Sequence, residues 1–432
     1  MVTAVRSRYS AYQFETDGYR AAITVKNIAT MTEYPKPTIP TDPILSGATF
    51  GVDSGCGVRS VCDAGQVRYV TSGRVAIALA LREMRITTGD QVLVPAYHSK
   101  SMIEPVIWFG AEPVFYRVGM DTAIDLVDIA ARITPRTRVL MVTNYFGFPQ
   151  DLAVIRAFCD TQGIRMLEDC AHGFFGEHAG QALGSFGDYA IASSMKFFPV
   201  YDGGCLISSR HDLGALRLVS AGLKFELKTA INTLEKGFEY RRMSPLRWLL
   251  SIPMGLKNLG WGLLKRGKVI DARAIGPDSS HGAFGFEEKW LDKRASLMSR
   301  LIMRTASRTR IANARRANYL RLQASLGGLP GCRALYPDLP AGVVPWVFPL
   351  LTDVPAGVFP ALRNAGVPVV RFAEFLWDGV DATVCANSVA LSRRVLQFPC
   401  HQELRQPEID WMVATARRLF LAAAETEVRA TV

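Results

Sequence analysis

Short apolar segments alternate with helix-like segments from about Val67 to Ser208, and this alternation is the strongest constraint on the fold. The apolar segments have the length of buried strands, and they lie at Gln91–Pro95, Pro113–Val118, Val139–Thr143, Ile164–Leu167, Tyr189–Ala192 and Cys205–Ser208. The segments with helical periodicity lie at Ser72–Met84, Ile103–Phe109, Leu126–Ile133 and Leu152–Gln162. Because strand–helix–strand units join parallel strands, the pattern predicts an α/β fold with a mostly parallel central sheet flanked by helices.

Two polar segments follow predicted strands, which is where ligands bind in open parallel sheets. Glu168 and Asp169 end one strand, and Lys196 follows the next strand in a segment that runs to Gly204. A lysine among apolar residues loses solvation, which favours a free amine able to react with an aldehyde. Asp169 is able to pair with a pyridinium nitrogen, or alternatively to cap a following helix. A solvated lysine is the ordinary alternative for Lys196.

Ser72 and Gly73 open the first predicted helix, where free N–H groups and the helix dipole suit a phosphate group. His172 lies three residues after Asp169 and is close enough in sequence to reach the same ligand ring. Each feature is common when taken alone. Their order along the chain, a Ser-Gly helix start, Glu-Asp-x-Ala-His and then Ser-x-x-Lys-x5-Asp-Gly-Gly, is typical of enzymes that use pyridoxal phosphate.

With these motifs, residues 69–210 resemble the sugar aminotransferases of the DegT/StrS type. The matching segments are Ser72–Ala76, Val94–His98, Gly110–Phe115, Ile133–Thr137, Asn144–Gly147, Glu168–His172, Gly184–Asp188 and Lys196 with Asp202–Gly204. Residues 285–420 resemble the family more loosely, through Pro345–Pro349 and Phe398–His401. The resemblance implies the type I fold of the aspartate-aminotransferase superfamily, the cofactor pyridoxal 5′-phosphate, and a homodimer with active sites at its interface.

The resemblance also implies the catalytic residues. It makes Lys196 the lysine that holds the cofactor as a Schiff base and moves the substrate proton. Asp169 would pair with the pyridine nitrogen of the cofactor, and His172 would lie near its 3′ oxygen.

The remaining cofactor contacts are implied in the same way. Ser193 and the backbone of Ser72, Gly73 and Arg74 would hold the phosphate. Tyr97 or His98 would stack on the ring, and the sequence leaves that choice open. Asn144 would lie at the cofactor site, at a position where the family often has histidine.

The implied activity moves an amino group from an amino-acid donor, with L-glutamate expected, to a keto group of a nucleotide-linked sugar. A cyclitol or non-sugar carbonyl is an alternative acceptor. A catalytically silent homologue that binds a membrane surface and serves assembly is an alternative of another class. A branch of the family that lacks the lysine carries out dehydration, so the presence of Lys196 favours transamination.

The domain organisation follows from changes in pattern along the chain. A proline-rich N-terminal arm is expected at 1–45, a large cofactor-binding domain at 46–320 and a small C-terminal α+β domain at 325–432. Residues 285–326 are predicted to be one long helical stretch. In the small domain, strands are predicted at Val343–Leu351 and Val367–Arg371, and helices at Val358–Ala365 and Gln406–Glu425.

A basic helical insert at about 215–270 interrupts the large domain. Its residues 248–264 carry a single charge, Lys257, and begin with Trp248. Packing on protein is the favoured interpretation, and contact of residues 221–270 with a membrane surface is the alternative. Residues 240–243 are the nearest match to a phosphate-binding motif that the family offers to a neighbouring subunit, although the motif's asparagine is missing.

Charge and cysteine usage limit the partners. The chain has 50 Lys and Arg against 39 Asp and Glu, which suits anionic partners such as a diphosphate, a membrane surface or nucleic acid. The arginines of residues 300–316 are interpreted as a solvated helix face, so nucleic acid is not expected. The eight cysteines form no C-x-x-C pair and the six histidines no H-E-x-x-H motif, so no metal site is predicted. Without a signal-like or spanning apolar run, a cytoplasmic protein is expected, with peripheral membrane contact left open.

Overall fold

The computed structural model describes residues 34–51, 57–249, 286–353 and 357–431. The chain divides into two compact units, residues 1–36 and residues 37–432, and every described sheet and helix lies in the second. Residues 37–46 contain no helix or strand. Residues 1–33 of the predicted arm and residues 250–285, which hold most of the predicted low-charge segment 248–264, lie outside the described residues.

A seven-stranded sheet forms the centre of the second unit. Its strands are β1 (Gln66–Val70), β2 (Gln91–Pro95), β3 (Glu112–Tyr116), β4 (Thr137–Thr143), β5 (Arg165–Cys170), β8 (Tyr189–Ser193) and β9 (Gly204–Ser208). They are ordered β1-β9-β8-β5-β4-β2-β3. Only β9 is antiparallel to its neighbours β1 and β8, and the pairs from β8 to β3 are parallel. The predicted mostly parallel sheet is confirmed.

The helices that accompany this sheet begin and end close to the predicted positions. They are α1 (Gly73–Glu83), α2 (Lys100–Trp108), α3 (Leu126–Arg132) and α4 (Leu152–Gln162). Ser72 caps α1, because its hydroxyl oxygen accepts a hydrogen bond from the Val75 amide. Gly163 ends α4 in the left-handed conformation (φ 65°), which glycine adopts without steric cost. Such local signals explain why the sequence places these helices well.

The described residues also form two smaller sheets. A two-stranded hairpin is formed by β6 (Glu177–His178) and β7 (Gln181–Ala182). A three-stranded antiparallel sheet has the order β10-β11-β12 and is formed by β10 (Cys332–Ala334), β11 (Val347–Thr352) and β12 (Val395–Pro399). Three helices of this region are α9 (Val358–Asn364), α10 (Ala382–Arg394) and α11 (Gln406–Thr431).

The long helical stretch predicted at 285–326 is divided, because its described part holds two α-helices. They are α7 (Leu297–Thr305) and α8 (Arg308–Leu326). The chain leaves helical geometry at Ala306, and Ser307 caps α8 by accepting from the Arg310 amide. Helix α8 runs through residues 320–325, where the domain boundary is predicted, and that division stays a prediction.

The predicted strand Val367–Arg371 is also wrong, since only Val370 pairs, through an isolated bridge to Gln397. Within the basic insert, the described residues form α5 (Leu223–Glu239) and α6 (Ser244–Leu249). No helix of the described residues is long and apolar enough to cross a membrane.

Candidate functional site

The predicted site residues gather at one edge of the central sheet. Strands β2, β4, β5 and β8 are parallel, so their carboxyl ends share an edge. The residues that follow or end these strands include Tyr97, Tyr145, Asp169 and Lys196. The topology therefore brings together segments about 100 residues apart in sequence.

Lys196 ends a single 3-10 turn that begins at Ser194, directly after β8. The turn is fixed because the Ser194 amide donates to the Gly203 carbonyl (3.1 Å) and the Phe197 amide to the Ser194 carbonyl (3.1 Å). Desolvation lowers the pKa of Lys196 to about 8, although the Asp169 carboxylate opposes this shift. The Nζ atom lies 4.4 Å from the ring centre of Trp346.

Asp169 is buried near the end of β5. Its Oδ1 atom accepts from the Ala171 amide at 2.8 Å, and residues 171–176 contain no helix for it to cap. Burial raises the pKa of Asp169, while the nearby Lys196 charge works against that rise. The alternative that Asp169 is a helix cap is therefore wrong.

His172 is buried in an aromatic cluster beside Lys196. Its ring stacks on Trp346 at 4.1 Å between centroids and meets the edge of Phe372 at 4.8 Å. The Phe146 amide donates to Nδ1 at 3.3 Å, which assigns the proton of the neutral ring to Nε2. Burial and the Lys196 charge lower the pKa of His172 well below its usual value, so at neutral pH Nε2–H is a hydrogen-bond donor.

The structure distinguishes Tyr97 from His98. Both ring nitrogens of His98 contact protein, since Nδ1 lies 3.0 Å from the Ala96 carbonyl oxygen and Nε2 accepts from the Trp377 amide at 3.0 Å. The Tyr97 ring instead joins the aromatic cluster through Phe372, at 5.0 Å. Its hydroxyl is buried and finds no hydrogen-bond partner among the described residues.

The start of α1 lies beside the lysine turn. A Cβ added to Gly204 would lie 2.4 Å from the Ser72 carbonyl carbon, and one added to Gly73 would lie 3.7 Å from the Ser193 Cβ. The first N–H groups of α1 thus lie close to Ser193, and only glycine fits at 204. The Arg74 side chain forms an ion pair with Glu104 at 3.0 Å.

Asn144 is bound on both sides by protein groups. Its amide nitrogen donates to Glu168 at 3.1 Å, and its side-chain oxygen accepts from the Gln150 amide at 3.2 Å. Glu168 is itself buried and accepts from the Gly184 and Phe186 amides. These contacts make Asn144 a support for the β5 end rather than a free group at the site.

The residues present fit pyridoxal phosphate. Among the described residues, the buried Tyr97 hydroxyl has no hydrogen-bond partner. Gly73 and Gly204 let the start of α1 lie close to Ser193. These polar groups lie at the edge of the sheet that also holds Lys196 and Asp169. Sequence reasoning did not assign Trp346 or Phe372 to this site, because tertiary packing brings them from distant segments. The family-like segment Pro345–Pro349 is the sequence feature that points to Trp346.

Residues 240–243 have another role in the described structure. The Arg242 guanidinium binds the Glu408 carboxylate at 2.6 Å and the Glu403 carbonyl at 3.0 Å. It therefore ties the end of α5 to α11. No group of His, Cys, Asp and Glu within the described residues is placed to hold a metal ion.

The described chain shares the type I transferase fold of solved aminotransferases, such as TlmJ from Streptoalloteichus hindustanus, at a TM-score of 0.57 and 20% identity over 83% of this chain and 86% of that chain. Residues 58–241 match the model of the DegT/DnrJ/EryC1/StrS aminotransferase family, which confirms the predicted family over this region. The Bacillus subtilis protein NtdA, solved with bound cofactor PMP, shares the fold at a TM-score of 0.55 and 17% identity, covering 83% of this chain and 74% of that chain.

Two relatives align with shorter parts of the chain. A UDP-N-acetyl-3-dehydro-alpha-D-glucosamine 3-aminotransferase from Acidithiobacillus ferrooxidans is 37% identical over 178 residues, which cover 39% of this chain and 42% of that protein. An L-glutamine:2-deoxy-scyllo-inosose aminotransferase from Streptoalloteichus tenebrarius is 30% identical over 145 residues, covering 33% of this chain and 34% of that protein. The chain thus matches less than half the length of these relatives.

Proposed function

We propose that the protein is a pyridoxal-phosphate-dependent aminotransferase that transfers an amino group from an amino-acid donor to a keto group of a nucleotide-linked sugar. The observation that carries the proposal is the meeting of Lys196, Asp169 and His172 at the carboxyl edge of the sheet. Burial lowers the pKa of Lys196 and of His172, which favours a free amine and a neutral ring, while the Lys196 charge counters the rise that burial causes in the pKa of Asp169. The name of the 37% identical relative supports the sugar acceptor.

When bound, pyridoxal phosphate supplies an electron sink for bond breaking next to the substrate nitrogen. With a pKa near 8, the Lys196 amine is unprotonated in a substantial fraction of the molecules at neutral pH. It accepts or returns a proton at Nζ. Asp169, as a carboxylate, would favour a proton on the pyridine nitrogen of the bound cofactor. His172 would donate from Nε2 to an oxygen of the cofactor ring.

Positioning falls to the surrounding groups. The amides of Gly73 and Arg74 and the hydroxyl of Ser193 hold the phosphate, because the first turn of a helix has N–H groups without intrahelical acceptors. Tyr97 would stack on the cofactor ring in preference to His98, because the nitrogens of His98 are already bound to the backbone.

The test replaces Lys196 with alanine and compares absorbance after addition of pyridoxal phosphate. Wild-type protein should develop a band at about 410–430 nm, and Lys196→Ala should not. Borohydride reduction should leave a cofactor-sized mass on the peptide that contains Lys196. A reducible adduct retained by Lys196→Ala would refute the assignment.

The acceptor is tested with two substrates suggested by the relatives, a UDP-linked 3-keto sugar and a keto-inositol. Amination of the first supports a nucleotide sugar. Preference for the second would replace it with the cyclitol alternative, which the 30% identical relative favours.

We also propose a cytoplasmic homodimer. Exposed leucines and an isoleucine recur at four-residue spacing along α5 (Leu223, Leu227, Ile231) and α7 (Leu297, Leu301), and the two helices touch where the Leu297 amide donates to Glu226 at 2.7 Å. A second copy would bury this face. Replacing Leu227 and Leu301 with lysine should give a monomer by light scattering, whereas Val127→Lys on α3 serves as the exposed control.

Membrane contact is the competing use of the same region. Trp248, in α6, is 80% exposed. Sedimentation with anionic liposomes that persists in the lysine double variant but disappears without residues 245–265 would favour it over dimer formation.

A further inference from the structure

Arg315, on α8, is a fully buried arginine that the proposed chemistry does not use. Its Nη2 donates to the Lys196 carbonyl oxygen at 2.8 Å, and its Nη1 donates to the Trp346 carbonyl oxygen at 2.8 Å. Its Nε donates to the Gln402 side-chain oxygen at 3.0 Å. One guanidinium therefore joins three segments that lie far apart in sequence.

Packing fixes the plane of this guanidinium. It lies 4.4 Å from the ring centre of Phe197, the residue after Lys196. Gln402 in turn donates to the Phe197 carbonyl at 2.8 Å. Both peptide units that follow the Lys196 side chain are thus held, one by Arg315 and one by Gln402.

The bound carbonyls belong to residues whose side chains meet. The Lys196 amine lies over the Trp346 ring, and that ring stacks on His172. A planar guanidinium offers donors in a rigid fork, which lysine does not reproduce. We propose that Arg315 is a positioning residue that holds the Lys196 turn and the Trp346 segment at a fixed separation, so that the amine stays among aromatic rings.

This inference rests on the proposed function only in taking Lys196 as the reactive amine, and it is testable without the cofactor. Loosening the turn should let water reach Nζ, which restores solvation of the ammonium form. The pKa of Lys196 should then rise from about 8 toward its ordinary value of 10.5. Arg315 itself stays protonated at neutral pH, because burial lowers its pKa only to about 10.

The experiment is reductive methylation of the apoprotein with formaldehyde and cyanoborohydride from pH 6 to 11, with Lys196 quantified by mass spectrometry. Arg315→Lys should raise the pH midpoint by about one unit and slow modification at pH 7 about tenfold. Arg316→Lys is the matched control, because the neighbouring Arg316 also binds backbone carbonyls, those of Pro340 (2.7 Å) and Val343. It should leave the midpoint unchanged.

Gln402→Met provides a second variant that keeps the arginine and should shift the midpoint in the same direction by a smaller amount. Unfolding midpoints in urea check that each variant is folded. A wild-type pH midpoint in folded Arg315→Lys, or, if that variant fails to fold, in Gln402→Met, overturns the proposal. Failure of wild-type protein to bind pyridoxal phosphate would overturn the proposed function and leave this result untouched.

Discussion

The lowered pKa of Lys196 gives a quantitative prediction for the wild-type apoprotein. With a pKa near 8, about one amine in ten is unprotonated at pH 7, whereas at the ordinary value of 10.5 the fraction is about one in 3,000. Lys196 should therefore be methylated about 300-fold faster at pH 7 than an ordinary lysine amine of the same intrinsic reactivity. N-acetyl-lysine methyl amide in the same reaction serves as the reference amine.

The same experiment separates burial from the nearby charges that act on this amine. Burial lowers the pKa of Lys196, whereas the Asp169 carboxylate and, to a smaller extent, the Asp42 carboxylate raise it. Asp169→Asn should thus lower the pKa further and speed modification at pH 7, although it should abolish transamination. Methylation of wild-type Lys196 with a midpoint near 10.5 would refute the burial argument, and slower modification in Asp169→Asn would refute the effect assigned to the Asp169 charge.

Further predictions concern stability. Gly204→Ala should destabilise the fold by about 3 kcal/mol, because its Cβ would lie 2.4 Å from the Ser72 backbone. Gly328→Ala should be tolerated, because a Cβ added there has no atom within 4 Å. Thermal unfolding of both variants measures the difference. Burial lowers the pKa of His98 to about 4, so this ring stays neutral in the fold but protonates at about 6.5 once unfolded. The contribution of neutral His98 to the free energy of unfolding is fully present above pH 6.5 and should be about 3 kcal/mol smaller at pH 4. Urea unfolding at pH 7 and at pH 4 should show this loss, and a smaller loss in His98→Asn.

Local signals explain the parts of the fold that the sequence predicts well. The strand at Gln91–Pro95 and the helix at Leu152–Gln162 have the observed bounds, because a mostly apolar strand and a capped amphipathic helix each carry their own pattern. Asp169 and Lys196 were found in the same way, from motifs that follow such strands.

Helix α10 escaped prediction because its buried face is made of small and polar residues. Cys385, Ser388 and Ser392 are buried with only Leu391 as a large apolar neighbour on the helix, so the usual periodicity is missing. The break between α7 and α8 was missed because neither proline nor glycine marks Ala306.

The tertiary part of the site lies beyond sequence reasoning. Trp346, Phe372 and Arg315 reach Lys196 or His172 across separations of more than 100 residues. No spacing rule connects such segments. The proposed preference for Tyr97 over His98 likewise depends on tertiary contacts, because the backbone binds both ring nitrogens of His98.

The most direct test of the proposed chemistry is an absorbance spectrum of purified protein with pyridoxal phosphate, before and after addition of L-glutamate. A band at about 410–430 nm that moves to about 330 nm would show a cofactor bound through an amine and converted by the donor. Lys196→Ala should show neither change. A band that ignores glutamate would reject this donor, and no band in the wild-type protein would contradict the assignment of Lys196, Asp169 and His172 as an aminotransferase site.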